Sequence, residues 1–200
     1  TGDSEPFYLE VYHKPAATDP TQPTFDAIDD LFSNGRTSRL YRSLVRDQRI
    51  AISVDSFSGY PGQKYPHLWG VFVVPAPGIT LDKIEAAVRR EVEKLRTTDV
   101  SAEELARAKR RARADLLRTL NSNQGLANQL SDHHLLYGDW RELFRYLERL
   151  DKVTAEDIRR VASTTLVATN RTIGTVDRAP EPPPTAESAA STSSKPGGVR

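Results

Sequence analysis

Apolar and polar residues alternate near the start of the chain. Across FYLEVY (residues 7–12) Phe7, Leu9 and Val11 fall on one face and Tyr8, Glu10 and Tyr12 on the other, the period of two that marks a strand. AATDPTQP follows as a loop broken by two prolines. From Thr24 the spacing becomes helical, with Phe25, Ile28, Leu31 and Phe32 on one side, and SNG at 33–35 ends that helix. Leu40, Leu44 and Val45 then share a helical face, while Arg39, Arg42 and Arg46 lie on the others as a solvated side with aliphatic stems over the core. After Gln48 the period returns to two: Ile50, Ile52 and Val54 alternate with Ala51, Ser53 and Asp55, which predicts a second strand. HLWGVFVVP supplies a third, able to pair with the second as a hairpin across PGQKYP.

The middle of the chain is helical in pattern. Thr80 stands at a capping position before Leu81, Ile84, Val88, Val92 and Leu95. Ser101–Glu104 (SAEE) has the form of a capping box, in which serine and glutamate each satisfy a free backbone donor, and opens a long helix. Its stripe runs through Leu105, Ala108, Ala112, Leu116 and Leu120 to Leu126 and Leu130, with an interruption expected near NSNQG. DWRELFRYLERL is a further amphipathic helix, TAED at 154–157 caps another that carries Ile158, Val161 and Ala162, and NRTIGTV closes as a short strand. Strands at both ends with helices gathered between them predict an α+β fold, an antiparallel or mixed sheet with helices packed on one face. Residues 1–177 make one domain. From 178 to 200 proline, alanine, serine and glutamate dominate and cannot offset the entropy of ordering, so a flexible tail or linker is expected.

Composition narrows the functional classes. Lys plus Arg is 28 against 27 for Asp plus Glu, a net charge of +1, so no whole-protein field captures nucleic acid or an anionic membrane. WGVFVVPAPGI is too short and proline-rich to span a bilayer. Cysteine is absent, which excludes a disulfide framework and thiolate metal sites and leaves the compartment, exported or cytoplasmic, unread. With no methionine and Thr1 in first place, a processed product or an excised part of a longer polypeptide is expected.

Candidate chemistry is sparse. A helical zinc site needs two imidazoles a turn apart with a carboxylate to polarise water; adjacent His133 and His134 diverge by about 100° on a helix, and neither they nor His13 and His67 stand in an H-x-x-E-H or H-E-x-x-H frame. No metal ligand is expected in the segment. KRRARADLLR from Lys109 could track phosphates, but Glu103, Glu104 and Asp115 share its helix and no aromatic residues interleave for base stacking. Neither a P-loop nor a G-x-S-x-G elbow occurs.

The run NGRTSRLYRSLVRDQRIAISVDSFSG resembles the second-domain signature of the M16 metallopeptidases (pitrilysin, insulinase and mitochondrial processing peptidase), a glycine, then S-R-L-Y, then L-R-E-x-x-G-L-A-Y-x-V. YHKPA, TSAEELARAK, VTAEDIRRVA and NRTIGTV are similar to the same family's C-terminal half-sequence, so the resemblance covers residues 6–177. It implies the LuxS/MPP-like metallohydrolase fold and a clamshell endopeptidase, in which one domain carries an inverted H-x-x-E-H zinc motif and a related domain closes over unfolded peptide. Where that second domain shares in the reaction, an arginine and a tyrosine seven residues later contact substrate, the phenol acting in an oxyanion-hole role. Ungapped alignment places Val45 and Ile52 at those positions, and neither donates a hydrogen bond. Sliding by one residue would offer Arg46 and Ser53 but would turn the strand over. The resemblance therefore implies a non-catalytic domain without a cofactor of its own. Zinc is expected in another domain of a bacterial-type chain or in a partner subunit, and a proteolytically inactive scaffold subunit is the alternative. Arg39, Arg42 and Arg46 are then outer-face and inter-domain residues, or a lining that meets acidic peptide.

Overall fold

A computed structural model describes residues 5–177; the expected tail at 178–200 lies outside the described residues. Four strands, β1 (Phe7–Lys14), β2 (Ala51–Tyr60), β3 (His67–Pro75) and β4 (Arg171–Val176), form one sheet in the order β2-β3-β1-β4. Every pairing is antiparallel. Six α-helices complete the described fold: α1 (Gln22–Ser33), α2 (Leu81–Thr97), α3 (Ala102–Leu120), α4 (Asn123–Tyr137), α5 (Glu142–Lys152) and α6 (Ala155–Thr165). Among the described residues no helix is long and apolar enough to cross a membrane.

The strand faces divide in a way that hydropathy does not anticipate. Tyr8, Glu10, Tyr12 and Lys14 of β1 are buried with Trp69, Val71 and Val73 of β3 under the helices, whereas Phe7, Leu9 and Val11 are only partly covered. Glu10 is 0% exposed and accepts hydrogen bonds from the Tyr8 and Tyr12 hydroxyls, which flank it on the same face. A buried carboxylate is costly unless its oxygens find donors, and two phenols supply them. Burial and the neighbouring carboxylate push both tyrosine hydroxyls above their ordinary range. From α1, Phe32 meets Trp69 edge-on at 5.5 Å, and the indole N–H donates to Asp29 at 3.2 Å.

The segment between α1 and β2 forms a π-helical turn (Tyr41–Asp47) that drives Leu40 and Leu44 into the core, both 0% exposed. It closes through the Gln48 N–H on the Ser43 carbonyl at 3.1 Å, and Arg49 then reverses the chain with a left-handed φ of 52°. β2 begins with a bulge: Ala51 opposes Pro75 and Ser53 opposes Val74, leaving Ile52 as the extra residue. Ile50 and Val54 are buried as their alternation predicts, but Ile52 is 60% exposed. The inserted residue breaks the period of two, so Ile52 leaves the face it shares with its neighbours in sequence.

The expected capping box of Ser101 with Glu104 is present, and the expected cap at Thr154 is a second box, formed with Asp157. Thr80 occupies the N-cap of α2, yet its side chain makes no capping bond. The long helix is divided at NSNQG into α3 and α4. A Cβ on Gly125 would stand 1.9 Å from the Thr119 carbonyl oxygen, so the chain can double back there only with glycine.

Candidate functional site

Helices α1, α3, α4 and α5 border a cleft of about 630 Å³. Asp26, Asp29 and Asp30 of α1 reach it, facing Asp115 of α3, Gln129, His133 and Tyr137 of α4 and Tyr146 of α5. The three α1 carboxylates lie at i, i+3 and i+4, one face of a helix whose other inward positions are Phe25, Ile28, Leu31 and Phe32.

Each carboxylate is held by its own chain. Asp26 accepts from the Tyr146 hydroxyl at 3.0 Å and from Gln22 Nε2 at 2.8 Å; Gln22 Oε1 in turn accepts from the Lys14 ammonium at 2.7 Å. Lys14 also donates to Ser58 at 3.1 Å and stands 4.5 Å above the Phe25 ring. Burial pushes the Asp26 carboxyl up to about 6, although Lys14 pulls the other way, and burial pushes the Lys14 ammonium down to about 8. Asp29, also raised by burial, accepts from Ser56 and Trp69. Asp30 is gripped by Arg111 of α3 at 2.6 Å. His133 donates from Nδ1 to the Gln129 carbonyl at 2.8 Å and stacks on Tyr137 at 5.6 Å. The cleft thus holds paired carboxylates, phenols and one imidazole.

The residues do not fit zinc. His13 is exposed on β1, His67 is buried with Nδ1 on the Tyr65 carbonyl at 3.0 Å, and His134 borders a separate groove with Trp140. Among the described residues no three histidine, aspartate or glutamate side chains form a group able to hold a metal ion.

The three arginines singled out from sequence are not assembled into one cluster. Arg39 and Arg42 border a shallow basin of about 360 Å³ with Ser43, Gln48 and Lys94. Arg39 is already committed there: its guanidinium grips Glu104 at 3.1 and 3.0 Å and so docks the π-helical turn onto the N-terminus of α3. That contact, with the Ser101 cap, holds the Glu104 carboxyl down at about 2. Arg46 stands outside the basin, paired with Asp47 at 2.6 Å in solvent. Val45 packs partly buried against the core. The basic helix is likewise used internally, with Lys109 donating to the Asp151 and Val153 carbonyls at 2.7 and 2.6 Å, Arg111 on Asp30, and Arg113 on Asp151 at 2.5 Å.

Sequence reasoning missed Lys14, Asp26 and Asp29. The available signal was phase: Lys14 shares the inward period of Tyr8, Glu10 and Tyr12, and Asp26 and Asp29 border the apolar stripe of α1 rather than opposing it.

Comparison with known proteins follows the same geometry. A family model described as the peptidase M16 inactive domain matches residues 3–112. The mitochondrial-processing peptidase subunit beta of Blastocladiella emersonii is 28% identical over 135 residues, 68% of this chain and 28% of that protein. The chain therefore spans little more than a quarter of the length of that relative. Among solved structures, the inactive peptidase domain of a candidate zinc protease from Bordetella parapertussis superposes with a TM-score of 0.78 at 27% identity, over 92% of this chain and 97% of that one. A protease from Helicobacter pylori shares the fold at a TM-score of 0.81 and 23% identity, with 88% of this chain covering 42% of that one.

Proposed function

The chain belongs to the peptidase M16 inactive-domain family, and on that premise we propose that it is the substrate-enclosing half of a zinc-dependent endopeptidase, closing over unfolded peptide opposite a zinc-bearing domain. The observation that carries this reading is the pair Val45 and Ile52. They stand where catalytically engaged second domains carry the arginine and tyrosine that donate to the scissile carbonyl, and an aliphatic side chain donates nothing. The ungapped register is supported by Arg49, which falls on the glycine of the L-R-E-x-x-G-L-A-Y-x-V pattern and has the positive φ of 52° that favours glycine. Ile52, 60% exposed at the bulge, has the outward placement that contact with a peptide would need. Of the three arginines we assign the contact with an acidic peptide or a neighbouring domain to Arg42, because Arg39 and Arg46 are held by Glu104 and Asp47; the basin that Arg42 borders also carries Asp47 and Lys94, the latter paired with Glu91 at 2.8 Å.

Purified chain is expected to hold no stoichiometric zinc on metal analysis and to show no chelator-sensitive peptide hydrolysis. Robust cleavage abolished by chelator and restored by zinc would overturn the proposal.

A proteolytically inactive scaffold subunit is the second reading, favoured by the same aliphatic pair. The two separate on the companion polypeptide: an H-x-x-E-H motif there supports the peptidase, and its absence from the parent chain and every copurifying subunit supports the scaffold.

A further inference from the structure

Asn34 is the one asparagine in the sequence that precedes a glycine. It ends α1 with an extended backbone, φ −73° and ψ 94°, and Gly35 follows at a left-handed φ of 80°. Both are exposed, as are Arg36 and Thr37. Nothing lies within 4 Å of the point that a Cβ on Gly35 would occupy, so the approach to its amide is open on that side. Among the described residues no hydrogen bond engages the Gly35 N–H.

Arg111 changes what this amide can do. Its Nη1 donates to the Asn34 carbonyl oxygen at 3.0 Å, and that oxygen belongs to the same peptide unit as the Gly35 nitrogen. When an amide loses its N–H proton the negative charge is shared with its carbonyl oxygen, so a guanidinium on that oxygen favours the deprotonated form. The Asn34 carboxamide is held beside it, with Nδ2 donating to Asp30 at 2.6 Å.

We infer that Asn34 and Gly35 form a site of spontaneous deamidation, with the Asn34 carboxamide as substrate and water as the only co-reactant. Solvent hydroxide removes the Gly35 N–H proton, and the nitrogen attacks Asn34 Cγ; the new N–Cγ bond closes a five-membered succinimide. The Cγ–Nδ2 bond breaks, and the nitrogen leaves as ammonia with a proton from water. Water then opens the ring at either carbonyl, giving aspartate or isoaspartate at position 34. The sum is carboxamide plus water to carboxylate plus ammonium, with no change of oxidation state.

The product alters the join between α1 and α3. Position 34 then presents a carboxylate, in place of a donor, to an Asp30 side chain that is 7% exposed, and two like charges share the Arg111 guanidinium. In the isoaspartyl form an extra methylene also enters the main chain and lengthens the turn that Arg111 fastens. Asp30, Asn34 and Gly35 border the cleft with Ala112, Asp115 and Leu116, so the change loosens one of its walls.

Peptide mapping by mass spectrometry tests the inference, on folded chain and on chain denatured in guanidinium chloride, both held at mildly alkaline pH. Position 34 is expected to gain about 1 Da ahead of Asn121, Asn123, Asn128 and Asn170. It is expected to do so in the folded chain at least as fast as in the denatured one, an order that needs the Arg111 contact, because rigid backbone otherwise slows ring closure. Arg111→Gln is expected to slow conversion in the folded chain by about threefold or more; should this variant not fold, the wild-type comparison still decides. Slower conversion in the folded chain than in the denatured one, another asparagine converting first, or an unchanged rate in folded Arg111→Gln would each overturn the inference. Asn34→Asp reads the consequence: its Tm is expected to lie about 3–6 °C below that of the wild type, and an unchanged Tm would refute the loosening of the α1 and α3 join.

Discussion

Arg111 of α3 holds Asp30 of α1 in a forked grip, Nη2 at 2.6 Å from one carboxylate oxygen and Nε at 3.1 Å from the other. The same guanidinium donates to the Asn34 carbonyl at 3.0 Å and Thr37 at 3.2 Å, so one side chain fastens α3 to the end of α1 and to the turn that follows. The Asp30 side chain is only 7% exposed and also accepts from Asn34 Nδ2 at 2.6 Å. Removing the arginine strands a desolvated carboxylate. Arg111→Ala is therefore expected to destabilise the fold by about 2–4 kcal/mol in urea unfolding, and Arg111→Lys to recover less than half of that, because an ammonium cannot supply the fork. Replacing Asp30 and Arg111 together should cost less than the sum of the single changes; strict additivity would show that the pair does not couple.

Asp26 and Lys14 give stability an unusual dependence on pH. The folded Asp26 carboxyl, raised to about 6, binds its proton more tightly than the unfolded carboxyl does. Its contribution is complete below the unfolded value near 4 and is lost as pH rises to 6. Lys14, lowered to about 8, has the opposite sign: its contribution is complete above about 10.5 and is lost as pH falls through 8. These two contributions together are smallest between pH 6 and 8. Asp26→Asn should flatten the slope between pH 4 and 6, and Lys14→Met the slope between pH 8 and 10.5, in chemical unfolding series. Glu104, held down at about 2, contributes above pH 4.5 and loses that contribution as pH falls towards 2, so acid unfolding is expected there and not near pH 5.

Gly70 is fixed by the packing of β2 and β1 over it. A Cβ would meet Phe57 Cζ and Val11 Cγ1 at 2.7 Å and the Glu10 carbonyl oxygen at 2.9 Å. The side chains can move, but the backbone oxygen belongs to a central strand. Gly70→Ala is expected to cost about 1–3 kcal/mol, and Gly70→Val more, read as a fall in thermal midpoint by circular dichroism.

Arg49 carries the opposite expectation. Its φ of 52° strains a residue with a Cβ, and its exposed side chain makes no compensating burial. Arg49→Gly should relieve about 1 kcal/mol of left-handed strain, less the added entropy of an unfolded glycine, for a small net stabilisation. A loss of stability would show that the guanidinium contributes more than the backbone costs.

The order of strands and helices, the capping box at Ser101 and the cap at Thr154, the division near NSNQG and the membership of the M16 family were all legible in the residues alone. Each depends on local rules of period, cap and turn, or on a run of residues read in order. Which face of the sheet is inside was not legible. Phe7, Leu9 and Val11 look like the buried side, yet Tyr8, Glu10, Tyr12 and Lys14 are buried, because the phenols, Gln22 and Ser58 supply partners that exist only once β1, α1 and β2 meet. The turn of Ile52 out of its alternating face depends on the pairing of Ala51 and Ser53 with β3, a register that no property of residues 50–54 specifies. The commitment of Arg39 to Glu104, 65 residues away, needs α3 in place. Burial of charge is decided by partners distant in sequence, and hydropathy, which weighs each residue alone, cannot assign them.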